Sequence, residues 1–303
     1  MSIPVWIRDR PQDTLGRVPD RVELHWSPRE ELLPPEIRGA ELLVPAEHSR
    51  RLLELLGDMP QLKVVQTISA GVDWLSPWVP DGVTVCNARG IRDIAVAEWV
   101  LAAILSMEKR LPAFARRQAE HAWEPEPLDE LAGKRALIVG YGSIGRRLAG
   151  MLGALGVEVR GVASRPRPGV HGVSELAQLL PSAEIVVLLV PLTAQTEGLF
   201  DGRMLSRMRP GALLVNAARG PVLDTDALLE QLTSERLRAA LDVTDPEPLP
   251  TDHPLWDTPG VLLTPHLAGD SPQAEERVYA FVGDQIRRYV AGEPLLNVVR
   301  PGE

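Results

Sequence analysis

The stretch Arg135-Ala136-Leu137-Ile138-Val139-Gly140-Tyr141-Gly142-Ser143-Ile144-Gly145-Arg146-Arg147-Leu148-Ala149 decides the fold. Ala136–Val139 is a short apolar run, the pattern of a strand buried on both faces. Ile144 then opens a segment with helical spacing, running to Leu155. Between them the glycines fall as G-x-G-x-x-G. Alone that pattern is weak, but between a strand and a helix it describes a turn that holds a pyrophosphate. Gly140 permits the tight turn, Gly142 lets the backbone approach a phosphate, and Gly145 lets helix and strand pack closely. The first helical N–H groups, those of Ser143 and Ile144, add donors and a partial positive charge. The bland alternative is a strand–helix turn whose glycines serve packing only.

Working outward, the same alternation continues. Strands are expected at Arg135–Val139, Val157–Val162, Ile185–Val190, Ala212–Val215, Arg238–Val243 and Val261–Thr264. Helical patterns fall between them, at Val173–Leu180, Asp201–Met208 and Asp224–Leu232. This is a doubly wound parallel sheet. Upstream, Asp93–Arg110 reads as one helix, ended by Pro112. The polar stretch Arg116–Glu130, with Trp123, reads as an excursion between elements and a candidate partner contact. Nearer the N-terminus, shorter apolar runs (Val5–Ile7, Val22–His25, Leu42–Val44, Leu62–Gln66, Val83–Cys86) alternate with polar or helical segments such as Arg50–Met59. That implies a second parallel α/β layer. An amphipathic helix over Glu275–Val290 is expected to return to it. The expectation is an α/β protein of two Rossmann-like or flavodoxin-like lobes with the active site in the cleft between them. Residues 1–92 plus 273–303 would form a substrate domain and 93–272 a dinucleotide-binding domain.

Composition narrows the function. The 303 residues are 45% hydrophobic and 24% charged, enough apolar material for a real core. A net charge of −9 argues against nucleic acid and anionic membranes as partners. No stretch approaches the ~18 apolar residues that suggest a bilayer span. The single Cys86 excludes an internal disulfide framework and a Cys-rich metal site, and fits a reducing compartment. No His/Asp/Glu cluster has metal-ligand spacing. The N-terminus lacks the pattern of a signal peptide, so a cytoplasmic location is expected.

The choice of dinucleotide is argued from the end of the second strand. An NAD site usually places Asp or Glu there, on the ribose 2′-OH. Here the segment is Ala163-Ser164-Arg165-Pro166-Arg167-Pro168-Gly169, with two arginines and no acid. Guanidinium groups bind a 2′-phosphate that a carboxylate would repel, and Ser164 adds a hydroxyl. NADP is favoured, with NAD possible. The alternative is that Arg165 and Arg167 are solvated loop charges in an Arg-rich chain.

Three further segments follow strands of the second layer: Asn216-Ala217-Ala218-Arg219-Gly220, Leu241-Asp242-Val243-Thr244-Asp245-Pro246-Glu247-Pro248-Leu249-Pro250 and Thr264-Pro265-His266-Leu267-Ala268-Gly269. Taken in this order with the glycine turn, they make the chain resemble the D-isomer-specific 2-hydroxyacid dehydrogenases over nearly its whole length. In feel it is closest to the NADPH-using glyoxylate and hydroxypyruvate reductases. The resemblance implies that Arg219 clamps a substrate carboxylate and polarises the carbonyl. It implies that His266 is the general acid, with Glu247 orienting the ring and favouring its charged form. Ser69-Ala70-Gly71-Val72-Asp73 looks like the family's substrate loop, where the Ala70 and Gly71 N–H groups would meet the carboxylate. Pro191, Thr196, Ala217 and Asp242 would lie beside the cofactor; a purely structural pairing of Asp242 is the alternative. The Trp123 region would help form a homodimer; equally, Trp123 anchors a local core.

The chain departs from the family pattern at Leu267-Ala268, where polar or glycine residues are frequent. Glu247 disfavours formate as substrate, because formate dehydrogenases of this superfamily carry Gln there. Two other readings stay open: a dinucleotide-binding regulator of the corepressor type, and a same-fold dehydrogenase acting on phosphite or a bulkier keto acid.

Overall fold

The computed structural model describes residues 2–8, 14–26, 33–45 and 49–299. They belong to two compact units, Met1–Arg92 with Asp270–Glu303, and Asp93–Gly269. The second crossing lies three residues before the sequence-based boundary of 272/273. Asp270 stays with the first unit through an ion pair to Arg92 (2.5 Å), and Ser271 caps the helix that follows.

The first unit is built on a five-stranded parallel sheet of order β2-β1-β3-β4-β5. The strands are β1 Ile3–Ile7, β2 Val22–Trp26, β3 Leu42–Val44, β4 Val64–Gln66 and β5 Thr84–Cys86. Alternation along each strand divides its side chains between two cores. Val5, Ile7, Leu42 and Val64 meet Val278, Tyr279, Val282 and Ile286 of the long helix Pro272–Ala291. Trp6, Leu43 and Val65 meet Leu52 and Leu53 of α1 (Arg50–Leu55) with Leu56, Met59 and Leu75. The chain after the long helix then joins the edge of the sheet. The Val299 N–H donates to the Val85 carbonyl (2.8 Å) and the Asn87 N–H to the Asn297 carbonyl (3.1 Å). Beneath this seam the buried Gln285 amide bonds Gln66 and Leu296. Cys86 is fully buried there, and burial pushes its thiol pKa up to about 11.

The second unit opens with α2 (Asp93–Glu108) and α3 (Leu111–Ala119). Its seven parallel strands run in the order β12-β11-β10-β9-β6-β7-β8. They are β6 Arg135–Val139, β7 Glu158–Ala163, β8 Val170–Gly172, β9 Ile185–Leu188, β10 Leu213–Asn216, β11 Arg238–Leu241 and β12 Val261–Leu263. Between them lie α4 (Ser143–Ala154), α5 (Leu176–Leu179), α6 (Gly202–Arg207) and α7 (Thr225–Thr233). The strands β6, β9 and β10 contain fully buried Val, Ile and Leu on both faces, as a covered parallel sheet requires. The strand order reverses between β6 and β9, which puts a ligand crevice beyond their carboxyl ends.

Two expectations need correction. The helix expected over Asp93–Arg110 does stop before Pro112, at Glu108, but Pro112 opens a further helix that runs into the expected polar excursion. Arg110 turns the chain at φ 50°, and Pro112 sits in the first turn of α3, where its missing N–H costs nothing. The first part of the expected excursion, Arg116–Ala119, is therefore helical. A seventh strand, β8, joins the six expected. It follows a tight turn, Arg167-Pro168-Gly169-Val170, in which Gly169 has φ 78° and the N–H and carbonyl groups of Arg167 and Val170 bond each other.

Candidate active site

At the carboxyl end of β6 the glycine turn is built as its spacing predicts. Gly140 has φ 104°, and a Cβ there would lie 2.4 Å from the main chain of Leu189. A Cβ on Gly145 would lie 2.7 Å from the Gly140 carbonyl. Gly142 differs, since a Cβ would meet nothing within 4 Å. It caps α4 without a side chain, and no acidic residue stands in the first helical turn. Ser143 and Ile144 therefore begin the helix with N–H groups that the helix cannot satisfy itself. The space over Gly142 and these donors together fit a phosphate.

The segment after β7 reaches this turn through one side chain. Nη2 of Arg167 donates to the Tyr141 carbonyl at 2.8 Å. Arg165 and Ser164 are exposed. The partner of Tyr141 is not legible in the sequence. A Cβ on Gly161 would lie 2.3 Å from its ring, so Gly161 of β7 makes room for that ring. After β9, the Thr196 hydroxyl closes a loop by donating to the Pro191 carbonyl at 2.6 Å.

Beyond β9 the same edge carries the titratable groups, on the loops after β10, β11 and β12. Asn216, fully buried at the end of β10, brackets the next three residues. Its side-chain oxygen accepts the Ala218 N–H (3.0 Å), and its amide donates to the Arg219 carbonyl (3.2 Å). Ala217 lies inside this bracket, its N–H 3.3 Å from the Leu188 carbonyl. The Arg219 guanidinium is partly exposed and bonds the Ala218 carbonyl. Gly220 locks this loop to the next, because a Cβ there would lie 1.9 Å from the Thr244 carbonyl oxygen. Neither Asn216 nor Gly220 was singled out from the sequence. An Asn two residues before a turn N–H was the available signal for the first. Nothing local marks the second.

The loop after β12 carries His266. Its Nδ1 lies 2.6 Å from Oε1 of Glu247, with both side chains more than a third exposed. A half-exposed pair adds little stability; its effect is to fix the ring. With the carboxylate as acceptor, the shared proton sits on Nδ1, and Nε2 is the nitrogen left to act. His266 has φ 53°, a left-handed conformation that the surroundings must hold in place. Asp242, at the end of β11 and 3% exposed, makes all its side-chain bonds to this loop.

In the first unit, the loop Ser69–Asp73 is held by its own bonds. The Thr67 hydroxyl donates to the Ser69 carbonyl, the Ser69 hydroxyl to the Gly71 carbonyl and the Asn87 amide to the Ala70 carbonyl. No acceptor is found among the described residues for the N–H of Ala70 or Gly71.

Comparison with known proteins places this arrangement in context. The NAD-binding domain model of the D-isomer specific 2-hydroxyacid dehydrogenases matches residues 101–268. The chain is 33% identical to a Mycobacterium tuberculosis protein named D-3-phosphoglycerate dehydrogenase, over 100% of this chain and 60% of that one. It thus spans about 60% of the length of the curated relatives of that name. Among solved structures, a D-isomer specific 2-hydroxyacid dehydrogenase from Xanthobacter autotrophicus Py2, in complex with NADPH and MES, superposes with a TM-score of 0.84. It is 32% identical and covers 99% of this chain and 98% of that one. An NADPH-dependent glyoxylate/hydroxypyruvate reductase from Sinorhizobium meliloti, in complex with NADP and sulfate, gives 0.83 at 27% identity, covering 99% and 98%.

Proposed function

Because the chain belongs to the D-isomer specific 2-hydroxyacid dehydrogenase family, we propose that it reduces a small 2-keto acid to the D-2-hydroxy acid. Glyoxylate and hydroxypyruvate are the proposed substrates, with NADPH as cofactor and NADH as the lesser alternative. The observation that carries this reading is the His266–Glu247 contact at 2.6 Å, which presents Nε2 of an oriented imidazole at the sheet edge that also carries the glycine turn. The cofactor, held by Gly140, Gly142, Ser143, Ile144 and Gly145 with Pro191, Thr196 and Ala217 alongside, supplies a hydride when bound. Arg219 pairs with the substrate carboxylate and draws electron density from the neighbouring carbonyl. His266 gives a proton from Nε2 to the carbonyl oxygen, and Glu247 balances the charge of the imidazolium before that transfer. The Ala70 and Gly71 N–H groups are proposed as further carboxylate donors.

Preference for NADPH rests on Ser164, Arg165 and Arg167 and on the lack of a carboxylate between Ala163 and Gly169. The two NADP(H)-bound relatives agree with it. We place the protein in the cytoplasm as a homodimer. Trp123, 96% exposed and so not the anchor of a local core, is proposed as part of the dimer contact. No described helix is long and apolar enough to cross a membrane.

The test is a steady-state matrix of both cofactors against glyoxylate, hydroxypyruvate, pyruvate, phenylpyruvate and 3-phosphohydroxypyruvate. The highest kcat/KM is expected for NADPH with one of the first two acids. Oxidation of neither cofactor by any acid would overturn the enzyme reading. A preference for the phosphorylated acid would move the chain to the activity named for its mycobacterial relatives.

A further inference from the structure

Four residues of the loop that carries His266 bond to one residue. Oδ1 of Asp242 accepts the Thr264 hydroxyl (2.6 Å) and the Leu267 N–H (2.9 Å), and Oδ2 accepts the Ala268 N–H (2.8 Å). The main-chain carbonyl of Asp242 accepts the His266 N–H at 2.8 Å. Asp242 is itself fixed, since its own N–H donates to the Asn216 carbonyl on β10. A buried carboxylate must have partners, and these are on both sides of the histidine. The His266 backbone is left-handed, a conformation that a residue with a side chain keeps only where its surroundings enforce it.

We propose that Asp242 is a positioning residue: it holds residues 264–268 so that His266 keeps its left-handed backbone and its ring contact with Glu247. This inference rests on the function proposed above and assigns Asp242 a task other than contact with the cofactor. The carboxylate is suited to it because it accepts on both oxygens and donates on neither. Asn at 242 has nearly the same shape but turns one acceptor into a donor. That donor would face either the Ala268 N–H or the Leu267 N–H, and one end of the loop would be released. Thr264 is the second member of the device, because its hydroxyl shares Oδ1 with the Leu267 N–H.

The experiment is a double-mutant cycle of D242N and H266A, with a milder pair, T264V and T264S, against loss of folding. The full chain is used throughout. In the native background D242N is expected to lower kcat by one to two orders of magnitude and to leave the NADPH Kd, read by fluorescence titration, within about threefold. In the H266A background D242N is expected to change kcat by less than about twofold, because its effect runs through the histidine. T264V should show a smaller loss of kcat, which T264S restores. An equal loss in both backgrounds would overturn the proposal, as would an effect confined to the NADPH Kd. A second readout needs no turnover. In ligand-free protein, nitrogen shifts of the His266 ring report the bond to Glu247, and amide exchange reports Leu267 and Ala268. D242N should weaken that bond and expose those amides; an unchanged ring and unchanged protection would overturn the proposal. If the native protein reduces no keto acid, the function reading fails, and the ring and exchange data still decide the role of Asp242.

Discussion

Two stretches of the carboxyl edge of the seven-stranded sheet are built on opposite plans. Around Gly142 the chain withholds side chains, leaving open space, uncapped helix N–H groups and exposed arginines at 165 and 167. Around His266 it ties its loops together. Asn216, Gly220, Asp242 and Thr264 fix three loops on one another through buried bonds and one close main-chain approach. The difference follows the task. A phosphate needs donors and room, and it brings its own charge and shape. A proton donor must be aimed, and aim requires an over-determined scaffold.

That contrast can be broken by substitution. H266A removes the aimed group itself and should lower kcat by roughly 10²–10⁴-fold with little change in thermal stability; steady-state assay beside a melting curve checks both. G220A should damage the fold severely, since its methyl must displace the Thr244 carbonyl. A loss of about 3 kcal/mol is expected, readable by denaturant titration. At the phosphate end the effects should fall on binding. R165A is expected to raise the NADPH KM about tenfold, the worth of one charge-assisted bond, and to leave the NADH KM nearly unchanged. R167A also loses the brace on Tyr141, so a smaller rise with NADH should accompany the rise with NADPH. Equal effects on both cofactors from R165A would defeat the 2′-phosphate assignment. G142A should be the silent partner of G220A. Its backbone φ of −82° suits alanine and nothing crowds the methyl, so stability should stay within about 0.5 kcal/mol while NADPH binding weakens.

A last expectation lies in the other unit. Burial holds the Cys86 thiol near pKa 11, above its ordinary 9.0. The folded chain therefore keeps it protonated where the unfolded chain would ionise. The stability this contributes is complete below about pH 9 and is lost as pH rises toward 11. Iodoacetamide at pH 8.5 should leave it unmodified in the native state and alkylate it after denaturation; rapid native labelling would contradict the sealed seam beneath the C-terminal segment.

The elements that could be read from sequence were those whose signal is local. The strands β6, β9 and β10 are unbroken apolar runs, and the turn glycines stand at fixed offsets from one of them. The short β8 was missed because three residues carry no period. Its clue was the Pro168-Gly169 pair, which sets a tight turn just ahead of it. α3 was missed because Pro112 reads equally as a stop and as a first-turn residue. The motifs located Arg219, Glu247 and His266, and the structure shows the latter two in contact. Motifs could not show what holds them. The partners of Gly161, Gly220 and Asp242 are 20 or more residues away, and only the folded chain brings them together.

The ion pair between Arg92 and Asp270 sits where the polypeptide leaves the first unit and where it comes back. A whole seven-stranded body is thus spliced into its host through two endpoints no farther apart than one guanidinium and one carboxylate can span. An insertion with adjoining ends adds little loop-closure entropy to the host, whatever its length. Such a junction lets a nucleotide module be exchanged as a cassette while the recipient sheet keeps its own register.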